Sequence, residues 1–119
     1  MQRNAKFLAD YLKTATRKDF AIEAGTEDKN TIVLALGTEN ENPESYQMKV
    51  TGDGITITGP TEAGVFYGIQ SLRKSLPVAV GADISMPAVE INDAPRFGYR
   101  GAHFDTSRHF FTVDEVKTY

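Results

Sequence analysis

The feature that most constrains the fold is a tight turn at Thr51–Gly54, whose sequence is Thr-Gly-Asp-Gly. Apolar and polar residues alternate on both sides of this turn, over positions 46–51 and 55–58. Alternation with a period of two is typical of a strand with one buried face, and the glycines permit the positive φ angles that hairpin turns require. Residues 45–58 are therefore predicted to form a β-hairpin with one face exposed to water.

Two amphipathic segments flank this hairpin and predict helices, because spacings of three and four residues align side chains along one helical face. In the first segment the apolar positions are Met1, Ala5, Leu8, Leu12 and Ala15. In the second, residues 61–75, they are Val65, Ile69 and Leu72, followed by Leu76. Pro77 is expected to end the second helix.

Three further runs predict strands. Residues 20–24 and residues 87–92 alternate between apolar and polar side chains. Thr31–Leu36 is continuously apolar after its first residue, as in a strand that is covered on both faces. Residues 1–93 are therefore predicted to form an α+β domain with a mixed or antiparallel sheet and two helices packed on one face of it.

Residues 94–119 are expected to begin a second domain. A turn at Ala94-Pro95 precedes a predicted strand over residues 99–105. Thr112 and Glu115 have the spacing of a helix capping box, which predicts a helix that is still running at Tyr119. The chain of 119 residues is too short for a complete (β/α)8 barrel, which takes about 200 residues or more.

The composition argues against several classes of function. Thirteen basic and sixteen acidic residues give a formal net charge of −3, which disfavours a nucleic-acid partner. The absence of cysteine excludes disulfides, thiolate metal sites and cysteine nucleophiles. No apolar run approaches the ~18 residues that a membrane span needs. We expect no cofactor, no nucleic-acid partner and no membrane span.

Polar side chains are densest in Arg100–His109, whose sequence RGAHFDTSRH contains both histidines of the chain. One hypothesis is a metal site formed by His103, Asp105 and His109. A second is purely structural, with Asp105 capping a turn and Arg108 paired with it. A third is the mouth of an active site, because α/β enzymes gather polar groups where a strand becomes a loop.

The surrounding motifs favour the third hypothesis. The residues PRFGYRG at 95–101, followed by FDTSRHFF at 104–111, resemble the start of the catalytic barrel in family-20 glycoside hydrolases, the β-N-acetylhexosaminidases. Residues 67–72, YGIQSL, resemble the last helix of the N-terminal domain of that family. Residues 87–91, PAVEI, are similar to its linking strand.

The resemblance implies that residues 1–93 form the non-catalytic N-terminal domain of that family. Residues 94–119 would then be the first strand and part of the first helix of a truncated (β/α)8 barrel. Arg108 corresponds to the arginine of that family that binds hydroxyls of the terminal N-acetylhexosamine. Asp105 and His109 would flank this arginine and support it. Arg100 and Gly101 would begin the first barrel strand. No metal is implied.

The resemblance also implies what this chain lacks. The family catalyses hydrolysis with an adjacent Asp-Glu pair on a later strand: Glu protonates the leaving oxygen, and Asp positions the acetamido group of the substrate as the nucleophile. Asp114-Glu115 begins a predicted helix and does not follow a strand end. Neither this pair nor Glu27-Asp28 is interpreted as the catalytic pair. No catalytic residue is therefore expected in this chain, and we expect it to be inactive by itself.

The expected partners follow from the same resemblance. They are a terminal β-linked GlcNAc or GalNAc on a glycan, bound through the full-length protein, and the remainder of the barrel. Self-association through an exposed surface near Phe104, Phe110 and Phe111 is a further expectation. A periplasmic, secreted or lysosomal location is typical of the family. The alternatives are a free-standing module that binds carbohydrate or protein, and a metal-dependent hydrolase built on His103 and His109.

Overall fold

A computed structural model describes residues 1–25, 29–37, 40–76 and 85–118. These residues form three helices, α1 (Gln2–Thr16), α2 (Glu62–Ser75) and α3 (Val113–Thr118). They also form four strands, β1 (Thr31–Leu36), β2 (Tyr46–Val50), β3 (Gly54–Gly59) and β4 (Val89–Asp93). Within these described residues, no helix is long and apolar enough to cross a membrane.

The four strands form one mixed sheet in the order β1-β3-β2-β4. β1 runs parallel to β3, whereas β2 is antiparallel to both β3 and β4. The turn between β2 and β3 is closed by a hydrogen bond of 2.9 Å from the Thr51 N–H to the Gly54 carbonyl oxygen. The predicted hairpin, the two long helices and the α+β class are confirmed.

One face of the sheet carries the core. The strand register aligns four apolar side chains in a row across the sheet, Leu34, Ile57, Met48 and Ile91. Met48 and Ile57 at the centre of the row are fully buried. Because side chains alternate along a strand, Lys49 and Thr56 are directed to the opposite face.

α2 covers this apolar face at very short range. The Thr61 hydroxyl caps its N-terminus by accepting a hydrogen bond from the Gly64 N–H. A β-carbon on Gly64 would overlap the Ser45 carbonyl oxygen, and one on Gly68 would overlap the Ile57 side chain. Gly64 therefore lets the helix backbone lie directly on the loop before β2, and Gly68 lets it lie directly on β3.

α1 packs beside α2 on the same side of the sheet. Leu8 and Leu12 are buried in the cluster that contains Met48 and Ile57. The buried Asn4 donates a hydrogen bond of 2.8 Å to the Glu62 carbonyl oxygen at the start of α2. The prediction of two helices on one face of the sheet is confirmed.

Two strand predictions within residues 1–93 need correction. Residues 20–24 form no strand, and Phe20 and Ile22 are 40% and 51% exposed. Thr31–Leu36 does form a strand, but it lies at an edge of the sheet and is half-buried, with Leu36 exposed. Alternation indicates amphipathic character, but a strand also needs a hydrogen-bonded neighbour. Among the described residues β1 has one neighbour only, so nothing pairs with residues 20–24.

The predictions for residues 94–119 have mixed outcomes. Residues 99–105 form no strand, since no described strand lies beside them. The capping box is confirmed: the Thr112 N–H donates to Glu115 Oε2 at 2.8 Å, and the Glu115 N–H donates to Thr112 Oγ1 at 3.3 Å. The described part of the helix that it begins, α3, spans Val113–Thr118. The predictions that involve Glu27-Asp28, Pro77 and Tyr119 concern positions outside the described residues.

Candidate functional site

The loop of residues 105–109 is organised by the Asp105 carboxylate. Its Oδ1 atom accepts hydrogen bonds from the Ser107 N–H at 2.9 Å and the Arg108 N–H at 3.4 Å. Its Oδ2 atom lies 3.2 Å from Arg108 Nε. Asp105 therefore contacts both the backbone N–H groups of the loop and the Nε atom of the Arg108 guanidinium.

The rest of the Arg108 guanidinium faces solvent. The side chain is 90% exposed, and its terminal nitrogens have no hydrogen-bond partner among the described residues. A guanidinium is always charged and presents five N–H donors in a rigid plane, of which Asp105 engages one. The terminal N–H groups are thus free to donate to neighbouring hydroxyl or carboxylate oxygens of a ligand.

His109 is held differently from Arg108. Its ring meets the Phe111 ring edge-on at a centroid distance of 4.7 Å, and Phe111 also contacts Phe104 at 4.7 Å. In the described residues, His109 makes no polar contact with Asp105 or Arg108. The loop therefore joins Asp105 directly to Arg108, while His109 belongs to a small aromatic cluster beside them.

The structure gives no support to the metal-site hypothesis. No three histidine, aspartate or glutamate side chains in the described ranges are arranged to hold a metal ion. His103, Asp105 and His109 are thus not gathered into a ligand set.

In α3, the Thr112 backbone N–H and hydroxyl donate to Glu115 and hold the pKa of its carboxyl below the usual range. Glu115 is therefore engaged in capping its helix.

A second polar cluster, which sequence reasoning missed, joins Glu44, Tyr67 and Arg100. Arg100 Nη2 donates to Glu44 Oε1 at 2.9 Å and to the Tyr67 hydroxyl oxygen at 3.0 Å, and the Tyr67 hydroxyl donates to Glu44 Oε1 at 3.1 Å. The hydrogen bond from Arg100 holds the pKa of the Glu44 carboxyl below its usual range. Tyr67 and Arg100 both lie in the motifs that resemble family 20, which was the one sequence signal pointing to them.

Neither of two surface clefts in the described structure reaches these clusters. One, of about 360 Å³, is mainly apolar and lies between the end of α1 and the sheet, near Leu12 and Ile55. The other, of about 390 Å³, is polar and lies near Asn92 and Asp93. Arg108 lines neither of them, so the described residues present its guanidinium on an open surface.

Comparison with known proteins decides the family. Residues 1–94 match the family model described as glycosyl hydrolase family 20, domain 2. This chain belongs to glycosyl hydrolase family 20. The match covers α1, α2 and the whole of the four-stranded sheet.

Two relatives of this chain are named β-hexosaminidases. It is 35% identical to the β-hexosaminidase of Porphyromonas gingivalis over 122 residues, which cover 95% of this chain and 16% of that protein. It is 49% identical to the β-hexosaminidase of Vibrio vulnificus over 72 residues, 60% of this chain and 8% of that protein. The family-20 chain thus spans about a sixth of the first relative and less than a tenth of the second.

Solved family-20 structures share its fold. A mutant β-hexosaminidase of Streptomyces plicatus in complex with product (GlcNAc) aligns with a TM-score of 0.81 at 38% identity. The family-20 β-N-acetylhexosaminidase of Streptomyces coelicolor A3(2) aligns with a TM-score of 0.78 at 37% identity. Each alignment covers 98% of this family-20 chain and 24% of the solved one. The small α+β domain is therefore the domain-2 fold of family 20.

Proposed function

We propose that this chain is part of a β-N-acetylhexosaminidase, which hydrolyses terminal non-reducing β-linked GlcNAc or GalNAc from glycans. The observation that carries the proposal is the continuity of a family-20 domain, at residues 1–94, with the loop that presents the Arg108 guanidinium. The relatives that are named β-hexosaminidases, and the solved relative with GlcNAc as its product, support the same class of substrate.

Arg108 would bind the sugar in this enzyme. Its free terminal N–H groups would donate to adjacent hydroxyls of the terminal N-acetylhexosamine, since a planar guanidinium can contact two oxygens at once. Asp105 would keep that plane in position through Nε, and His109 would limit the movement of the loop through its contact with Phe111. Protonation of the leaving oxygen and positioning of the acetamido group would fall to an Asp-Glu pair beyond this chain.

Residues 94–119 would form the start of the catalytic barrel, following a domain boundary at residue 93. Several large apolar side chains of this segment are exposed, namely Phe97, Tyr99, Phe110, Val113 and Val116. An exposed apolar group of this size is typical of a surface that another part of a protein covers. The remaining barrel strands would cover it in the complete enzyme, and in the isolated chain the surface near Phe104, Phe110 and Phe111 would favour self-association.

The proposal is tested by comparing this chain with the complete polypeptide that contains it. We expect the complete polypeptide to release nitrophenol from a 4-nitrophenyl N-acetyl-β-D-glucosaminide, and the 119-residue chain to release none, because the proposed general acid would lie beyond it. The matched 4-nitrophenyl β-D-glucoside, which has no acetamido nucleophile, should not be hydrolysed by either protein. Hydrolysis by the short chain, or preference for the glucoside, would refute the proposal.

A further inference from the structure

The chain is anchored to the domain where it leaves the sheet. β4 ends at Asp93, and the following residues cross the loop that precedes β2. The Asn42 side-chain amide donates a hydrogen bond of 3.1 Å to the Pro95 carbonyl oxygen. Five residues further on, Arg100 reaches back to Glu44 in the same loop. Two contacts therefore hold the exit segment against one edge of the domain.

The second contact is a closed triangle rather than a simple surface ion pair. Arg100 Nη2, Glu44 Oε1 and the Tyr67 hydroxyl oxygen lie 2.9–3.1 Å from one another. The guanidinium carbon also lies 5.5 Å from the centroid of the Tyr67 ring. The Arg100 and Glu44 side chains are only 37% and 32% exposed. Isolated surface ion pairs contribute little, but networks with defined geometry can hold a segment in place.

Both partners of Arg100 belong to well-supported parts of the domain. Tyr67 lies on α2, whose neighbouring residues Gly68 and Ile69 are buried against the sheet. The Glu44 N–H donates to the Asn42 side-chain oxygen at 2.9 Å, and the Thr61 hydroxyl donates to the Pro43 carbonyl oxygen at 2.6 Å. The Glu44 carboxylate is thus presented from a loop that is itself tied to the start of α2.

Arg100 also organises its own segment. Its Nη1 atom donates to the Phe97 carbonyl oxygen at 2.5 Å, so the side chain bridges back over a four-residue stretch of its own segment. One guanidinium therefore fixes the local backbone and connects it to two other elements. A lysine at this position would keep the charge but could not form these hydrogen bonds in one plane.

We propose that the Glu44–Tyr67–Arg100 cluster is a positioning device that sets the direction of the chain between the domain and the Asp105–Arg108 loop. Arg100 is its central residue. The role in substrate binding rests on the function proposed above, whereas the role in directing the chain does not. Displacement of a substrate-binding group by about 1 Å can lower a rate by ~10²-fold, so a contact remote from the sugar can affect catalysis.

The directing role can be measured in the 119-residue chain, which contains no cysteine and accepts spin labels at chosen sites; dilution with excess unlabelled chain removes distances between associated copies. Labels on Lys74→Cys, which is exposed on α2, and Ala102→Cys, two residues beyond Arg100, report the distance across the cluster. We expect a narrow distance distribution by double electron–electron resonance. Glu44→Gln, Tyr67→Phe and Arg100→Lys should each broaden it, while Arg96→Lys should not, because Arg96 stacks on Phe97 and, among the described residues, has no hydrogen bond to the cluster.

Thermal unfolding of each variant, followed by circular dichroism, separates positioning from general stability. A distribution that broadens while the unfolding temperature stays unchanged supports the proposal. A wild-type distribution as broad as those of the variants, or no broadening on Arg100→Lys, would overturn it. Broadening that occurs only with loss of the cooperative unfolding transition would also overturn it, because the cluster would then act on the whole fold.

The complete enzyme provides the second readout. We expect Arg100→Lys to lower kcat/KM by about tenfold or more, and Arg96→Lys to leave it unchanged. Unchanged kcat/KM in Arg100→Lys, in an active enzyme, would overturn the link to substrate binding. A complete polypeptide that is inactive on N-acetylhexosaminides would instead refute the proposed function, and the distance measurement would still decide the directing role.

Discussion

Replacing Arg108 by alanine in the complete enzyme is expected to lower kcat/KM for N-acetylhexosaminides by about 10²–10⁴-fold. Hydrogen bonds to charged groups contribute roughly 1.5–3 kcal/mol each, and two are lost when both terminal nitrogens are removed. Each 1.4 kcal/mol corresponds to about a factor of ten. Steady-state hydrolysis of 4-nitrophenyl N-acetyl-β-D-glucosaminide measures the effect.

Two variants control for charge and for general damage. Arg108→Lys keeps the charge but loses the planar pair of donors, so we expect a smaller loss than with alanine. Arg3→Ala removes an exposed arginine on α1 and should leave kcat/KM unchanged. Activity of Arg108→Ala within about twofold of the wild type, a difference below ~0.5 kcal/mol, would show that the guanidinium does not bind the sugar.

Replacing Gly64 by alanine is expected to lower the free energy of unfolding by about 3 kcal/mol, at the upper end of the usual cost of overpacking. At most helical positions this change stabilises, because alanine has the higher helix propensity by roughly 1 kcal/mol. Here the sign reverses, since the added methyl group would overlap the carbonyl oxygen of Ser45. That oxygen belongs to the backbone and cannot move away as a flexible side chain could.

The control for Gly64→Ala is Gly52→Ala. A β-carbon on Gly52 would have no atom within 4 Å, so we expect its effect on stability to lie within about 0.5 kcal/mol. Urea unfolding of the 119-residue chain, followed by circular dichroism, gives both values. A Gly64→Ala variant as stable as the wild type would contradict the close packing of α2 on the loop before β2.

Periodicity predicts those elements whose stability comes from a buried face. The hairpin at Thr51–Gly54 and the helix of residues 62–75 are confirmed because their apolar positions match the core that they build. Residues 20–24 have an equally good alternation but no strand beside them in the described structure. Pairing between strands depends on long-range topology, and alternation within one segment carries no information about it.

In the candidate site, too, a local contact could be predicted from the sequence and a long-range contact could not. Asp105 and Arg108 are three residues apart, so local chemistry is enough to predict their contact. Arg100 and Glu44 are 56 residues apart, and only the fold brings them together. The motifs around Tyr67 and Arg100 could be recognised in the sequence, but the hydrogen bonds that join these residues required the structure.

The most direct test of sugar binding by Arg108 is a crystal structure of the complete enzyme with GlcNAc bound. We expect the terminal nitrogens of Arg108 to lie about 2.7–3.2 Å from hydroxyl oxygens of the sugar. We also expect Arg108 Nε to stay on Asp105, as in the present structure. A complex in which GlcNAc is bound and Arg108 makes no contact with it would refute this role of Arg108.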